Sequence, residues 1–200
     1  PEDFYADDQM VITISHLGYI KRTPLADFRQ QGRGGVGAKA SSARDEDFIE
    51  YVHQANMHST MMFFTEQGRL YWIKVYDIPE GNRQSKGRAL QNMINIQKGD
   101  KVCAFIHVKN LNDQEYVDNH YLIFATKNGL MKKTTLESYS RPRANGIIAL
   151  GLREDDRLIR VTLTDGKSQM LVASYNGKVV RFPEETIRPM GRTASGVRAI

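Results

Sequence analysis

Apolar residues along this chain come in short runs, each closed by the same small motif. The runs are Met10 to Ile14, Met61 to Phe64, Tyr121 to Ala125 and Met170 to Ala173. Each leads into Ser or Thr, two variable residues, Gly, and an apolar residue two places on. The four copies read Ser15-His16-Leu17-Gly18, Thr65-Glu66-Gln67-Gly68, Thr126-Lys127-Asn128-Gly129 and Ser174-Tyr175-Asn176-Gly177. Runs this short, bounded by turn residues, predict strands rather than helices. Most are apolar at nearly every position, so both faces should be buried. Gly supplies the positive φ of a tight hairpin, and Asn128 and Asn176 before it tolerate the same region.

The turn glycines lie 50, 61 and 48 residues apart. A period near that length predicts a propeller or solenoid. A second mark follows each turn: Gly35-Val36-Gly37-Ala38, Lys86-Gly87-Arg88-Ala89, Gly146-Ile147-Ile148-Ala149 and Gly196-Val197-Arg198-Ala199. Aligned on their alanines, the second copy has its Gly one place late. A third mark is an acid with apolar residues two and five places on: Asp47, Ile49, Val52; Asp100, Val102, Phe105; Asp156, Leu158, Val161. With no convincing 3.6-residue period, the pattern predicts an all-β array. We expect one domain over 1–200, with repeats near 10–46, 47–99, 100–155 and 156–200. The acid-led strands should pack with the neighbouring repeat, and both end units should be incomplete, giving an open arc. A chain that begins at Pro1 and stops partway through a repeat is expected to be a fragment of a longer protein.

Composition narrows the class. One cysteine, Cys103 within an apolar run, excludes an internal disulfide and predicts a buried thiol. There is no signal peptide and no 18-residue apolar run. The net charge of +5 and pI near 9.3 favour a polyanionic partner. The residues four places past the turn glycines are Arg22, Trp72, Lys133 and Arg181, with Lys21 and Lys132 beside them. Lys39, Arg141, Arg143 and Arg192 fall in connecting segments. On charge alone they fit a basic stripe that contacts a phosphate backbone and an ordinary solvated surface equally well, with Trp72 in a packing role.

Catalytic groupings are unconvincing. Asp45-Glu46-Asp47 reads as the start of a strand, and His53, His58, His107 and His120 lack metal-ligand spacing. There is no recognition helix for reading bases.

The segment Gln31-Gly32-Arg33-Gly34-Gly35-Val36-Gly37 stands apart. Its glycines expose backbone N–H groups and let a phosphate approach closely, with Arg33 as anchor. It lacks the Gly-Lys-Ser/Thr ending of a nucleotide P-loop. In this repeat context it resembles the box of the DNA gyrase A C-terminal domain, Gln-x-Arg-Gly-Gly-x-Gly. All five fixed positions match, while Gly32 and Val36 stand where basic residues are common. The resemblance covers essentially the whole chain. It implies a β-pinwheel, a propeller variant with strands swapped between blades, here about four. It implies duplex DNA wrapped non-specifically around the rim, supporting negative supercoiling by a cytoplasmic, nucleoid-associated A2B2 complex of gyrase A with gyrase B. No cofactor is implied in this fragment; ATP and Mg2+ are assigned to the parent complex, as is the strand-cleaving tyrosine. The related domain of topoisomerase IV, usually with a degenerate box, is the alternative; a protein-binding propeller is the alternative of another class.

Overall fold

A computed structural model describes residues 1–29, 47–82 and 84–199. The strands are β1 (Gln9–Ser15), β2 (Tyr19–Pro24), β3 (Ile49–Asn56), β4 (Thr60–Thr65), β5 (Arg69–Lys74), β6 (Arg88–Ala89) and β7 (Val102–Val108). There follow β8 (Tyr121–Thr126), β9 (Leu130–Thr135), β10 (Ile147–Ile148), β11 (Leu158–Thr164), β12 (Gln169–Ala173), β13 (Val179–Pro183) and β14 (Val197–Arg198). Two α-helices, α1 (Leu25–Arg29) and α2 (Gln114–Asp118), have five residues each. The chain falls into two compact units, Pro1–Thr60 with Ile73–Asn95, and Met61–Trp72 with Ile96–Ile200.

The sheets run β3-β1-β2-β6, β10-β5-β4-β7, β11-β8-β9-β14 and β12-β13. The architecture is all-β, with four sheets of antiparallel pairs. At the centre of each is a hairpin from one repeat. In the first three, both outer strands come from the following repeat. The first sheet therefore has four strands, contrary to the expectation of an incomplete end unit, because strands are borrowed forward along the chain. The fourth has two among the described residues.

Turn chemistry explains why the four hairpins form. The backbone N–H of Gly18, Gly68, Gly129 and Gly177 donates to the carbonyl of the Ser or Thr three places earlier, at 2.9 to 3.1 Å. Each glycine has φ between 80° and 86°. That is a three-residue hairpin loop with its bulge glycine in the left-handed region. The Ser15, Thr65, Thr126 and Ser174 hydroxyls then accept the N–H four places on, at 3.0 to 3.1 Å. The motif thus satisfies its own polar groups within five residues.

The acid-led strands close the turn from outside. Asp47 accepts from Leu17 N–H, Asp100 from Gln67 N–H and Asp156 from Asn128 N–H, at 2.9 to 3.1 Å. These acids read as solvated strand starts in the sequence, but they latch the preceding hairpin. Burial alone would raise the Asp47 carboxyl. Donation from Leu17, Ser15 and Phe48 outweighs it and holds the group below the usual carboxylate range.

The second mark supplies the other outer strand, in a register that corrects the alignment on alanine. Arg88, Ile147 and Val197 face Ile20, Leu70 and Met131, each two or fewer places past a turn glycine. Leu90, Ala149 and Ala199 donate their N–H to Gly18, Gly68 and Gly129 O. Leu90, not Ala89, is the equivalent of the two alanines, and Gly87 is in step with Gly146 and Gly196. Those glycines have φ of 85°, 70° and 99°, and a Cβ on any of them would fall 2.3 to 2.6 Å from the nearest facing carbonyl oxygen or ring atom.

Burial follows the borrowed strands. Met10 to Ile14 and Thr60 to Thr65 are wholly buried, and Leu122 to Phe124 likewise. A core of Met62, Phe64, Val108, Phe124, Leu136 and Tyr139, among others, lies within the second unit. The fourth run departs from expectation. Leu171 is 69% exposed and Val179 60%, because among the described residues β12 and β13 have neither outer strand to cover them.

Candidate nucleic-acid interface

The cations that the sequence groups into one stripe divide into two sets. Lys132 has no exposed surface. Its Nζ donates to Ala149 O at 2.7 Å and Arg192 O at 2.6 Å, and lies 4.9 Å from the centre of the Phe124 ring. Burial pushes the Lys132 amine down to about 7, with the Arg192 charge adding to the effect. Lys133 is 4% exposed, over the Tyr121 ring and 3.9 Å from Glu184. Arg22 is 8% exposed and donates to Ile78 O at 2.6 Å and to Glu80 at 2.8 Å. Lys21 is half-buried, bonded to Asn82 O and Ser85 O at 2.8 and 2.9 Å, and burial lowers its amine. These side chains are engaged inside the fold. As open phosphate ligands Arg22, Lys132 and Lys133 are therefore corrected: a cation held by internal partners with almost no exposed surface cannot also reach a backbone outside.

Arg141, Arg143 and Arg181 are exposed. Arg192 is half-buried and donates to Ile148 O at 3.3 Å. Gln31, Gly32, Arg33, Gly34, Gly35, Val36, Gly37 and Lys39 lie outside the described residues. Cys103 is half-buried and burial pushes its thiol up to about 12, which fits a packing role.

Exposed cations that the sequence reading passed over stand on the outer strands. Lys101 and Arg157 immediately follow the latch acids Asp100 and Asp156, at the starts of β7 and β11. Their carbonyls accept the turn N–H of Glu66 and Lys127 at 2.8 and 2.9 Å, so the backbone is held beside the turn. Both side chains are exposed, and Arg157 Nη1 lies 3.6 Å from Glu66 Oε1 in a surface ion pair that leaves the guanidinium half in solvent. Arg160, Lys127 and Lys178 are exposed as well. The overlooked signal was a basic residue directly after the latch acid; in the first sheet Phe48 takes that place, stacked on His16.

Cations recurring at matched places in successive sheets suit a repeating polyanion and carry no base-reading geometry. Among the described residues no three His, Cys, Asp or Glu side chains are grouped to hold a metal, and no helix is long and apolar enough to cross a membrane.

Comparison with known proteins agrees with this fold. The family model described as the DNA gyrase C-terminal domain, beta-propeller, matches residues 9–56, 59–109, 120–165 and 169–200. The chain belongs to this family. It is 44% identical over 199 residues to the DNA gyrase A protein of Haemophilus influenzae, and 43% to that of Salmonella typhimurium. The alignments cover 100% of this chain and 22% of each relative, so the chain spans about a fifth of their length. Among solved structures, the C-terminal domain of DNA topoisomerase IV aligns with a TM-score of 0.76 at 25% identity, covering 96% of this chain and 57% of that one. The DNA gyrase A C-terminal domain aligns at 0.70 with 21% identity, covering 96% and 60%, a likeness of fold. Each matched segment of the first three begins at or just before a hairpin's first strand and runs through the acid-led strand that closes it.

Proposed function

We propose that this chain binds duplex DNA without sequence preference and bends it along the successive sheets. Contacts go to phosphates from Lys101, Arg141, Arg143, Arg157 and Arg181. The observation that carries this reading is the exposed cation after the latch acid, at the same place in two successive sheets, in a member of the gyrase family. In the whole protein the wrap serves ATP-dependent negative supercoiling, with gyrase B in an A2B2 complex. The Gln31 to Gly37 box, with Arg33 as its charged contact, grips the end of the wrap. Bending a short duplex by 40–90° costs roughly 1–6 kcal/mol, so more than one grip is needed.

The test is a titration of linear duplex at several salt concentrations. Each phosphate neutralised contributes about −0.9 to the log–log slope. Changing Arg141, Arg143 and Arg181 to Ala should flatten that slope, whereas Lys132→Ala should leave it unchanged. A wild-type slope near zero, or marked preference for one sequence, would overturn the reading. In the parent enzyme Arg33→Ala should remove supercoiling and spare relaxation; equal loss of both would remove the box from this role.

A further inference from the structure

In the first two hairpins, the residue four places past the turn glycine makes the same bond with different chemistry. Arg22 Nε donates to Ile78 O at 2.6 Å, and Trp72 Nε1 donates to Tyr139 O at 3.1 Å. Ile78 and Tyr139 each lie ten residues past the turn glycine of the following repeat. A guanidinium and an indole share little except a planar N–H at the end of a long side chain. The structure preserves the donor and its target carbonyl, not the charge. In the third hairpin Lys133, at the same place, is buried and reaches Glu184, also in the following repeat.

We propose that this position is a strap, which ties each hairpin to the connecting segment of the next repeat and sets the DNA path without touching DNA. The inference rests on the DNA-binding reading above. It also accounts for where free cations can stand. Arg22 needs a counter-ion and has Glu80, twelve residues past Gly68. Trp72 needs none, and the residue twelve past Gly129 is the exposed Arg141. A neutral strap releases that place to carry a cation.

Two substitutions separate strap from contact. Arg22→Trp removes the charge and keeps an N–H donor that Trp72 shows to be competent. Arg22→Leu removes both. The measurements are the salt slope on linear duplex and the linking-number shift left in closed-circular plasmid relaxed by a nicking-closing enzyme with the chain bound. A strap predicts wild-type salt slopes for both variants, a wild-type linking-number shift for Arg22→Trp, and a lost shift for Arg22→Leu. A phosphate contact predicts that both slopes become shallower by about 0.9; that result overturns the proposal, as does an unchanged shift in Arg22→Leu. Should Arg22→Leu fail to fold, Trp72→Arg decides: the strap predicts no change in slope, a contact predicts a slope steeper by about 0.9. If the wild-type chain shows no salt-dependent binding, the DNA reading fails by itself. The strap is then judged on thermal unfolding, where Arg22→Trp should stay near wild type and Arg22→Leu should fall; equal loss in both sinks it.

Discussion

The Lys133 ammonium lies 3.9 Å from Oε1 of Glu184, a carboxylate with no exposed surface whose oxygens accept no hydrogen bond from the described residues. Glu184 stands seven residues past its turn glycine, where the second and third repeats bury Val75 and Leu136. A charge in an apolar slot is tolerable only with its partner. Lys133→Met should therefore cost about 3–5 kcal/mol by leaving the carboxylate unpaired. Lys133→Met with Glu184→Leu should cost less than the single change, since Leu136 shows that Leu fits the slot. Urea unfolding of the two variants measures the difference; a harmless single change would refute the pairing.

The latch acids give a second expectation. Asp100 Oδ1 accepts from Gln67 N–H at 3.1 Å and from Lys101 N–H at 2.8 Å. Asp100→Ala should cost about 1.5–3 kcal/mol, as for a hydrogen bond to a charged group, and Asp100→Asn should cost less because an acceptor remains. Hydrogen exchange at the Gln67 amide should rise in the Ala variant. Protection unchanged at that amide would count against the latch.

Two glycines with similar φ should behave differently. Gly129 has φ of 85° and open space where a Cβ would be, whereas Gly196 has φ of 99° and the Met131 carbonyl oxygen 2.4 Å from that point. Gly129→Ala carries backbone strain alone, on the order of 1–3 kcal/mol. Gly196→Ala adds a collision with backbone and should lose more, together with the β14–β9 pairing. Thermal unfolding of both variants checks the order, and equal losses would contradict it.

Lys132 should make stability depend on pH. Its folded amine is pushed from 10.5 to about 7, so the unfolded chain binds the extra proton between those values. Stability should then rise as pH climbs from about 7 towards 10.5, and be lowest where the buried amine is charged in both states. Lys132→Met should abolish that rise while leaving Ala149 O and Arg192 O without this donor. Denaturation midpoints across the alkaline range are the readout; a rise that persists in the Met variant would assign it to another group.

The repeat, the four hairpins, the all-β class and the family resemblance were legible in the chain because their determinants are local. A Ser or Thr hydroxyl, a glycine with positive φ and the flanking apolar run act within about ten residues, so the pattern and the physics coincide. Even the latch acids and the Gly-led strands were visible as marks, although their partners were not.

What the sequence determined by itself is a set of hairpins with marks at regular spacing, and a charge that favours a polyanion. Which outer strand joins which hairpin, why Leu90 stands where Ala149 and Ala199 stand, and which cations are free were decided only by the tertiary structure. Lys132 and Arg141 look alike as letters. One is enclosed by carbonyls from segments 17 and 60 residues further on, and the other faces solvent. Burial depends on neighbours distant in the chain, and a charge becomes a strap or a surface contact according to whether those neighbours have already taken it.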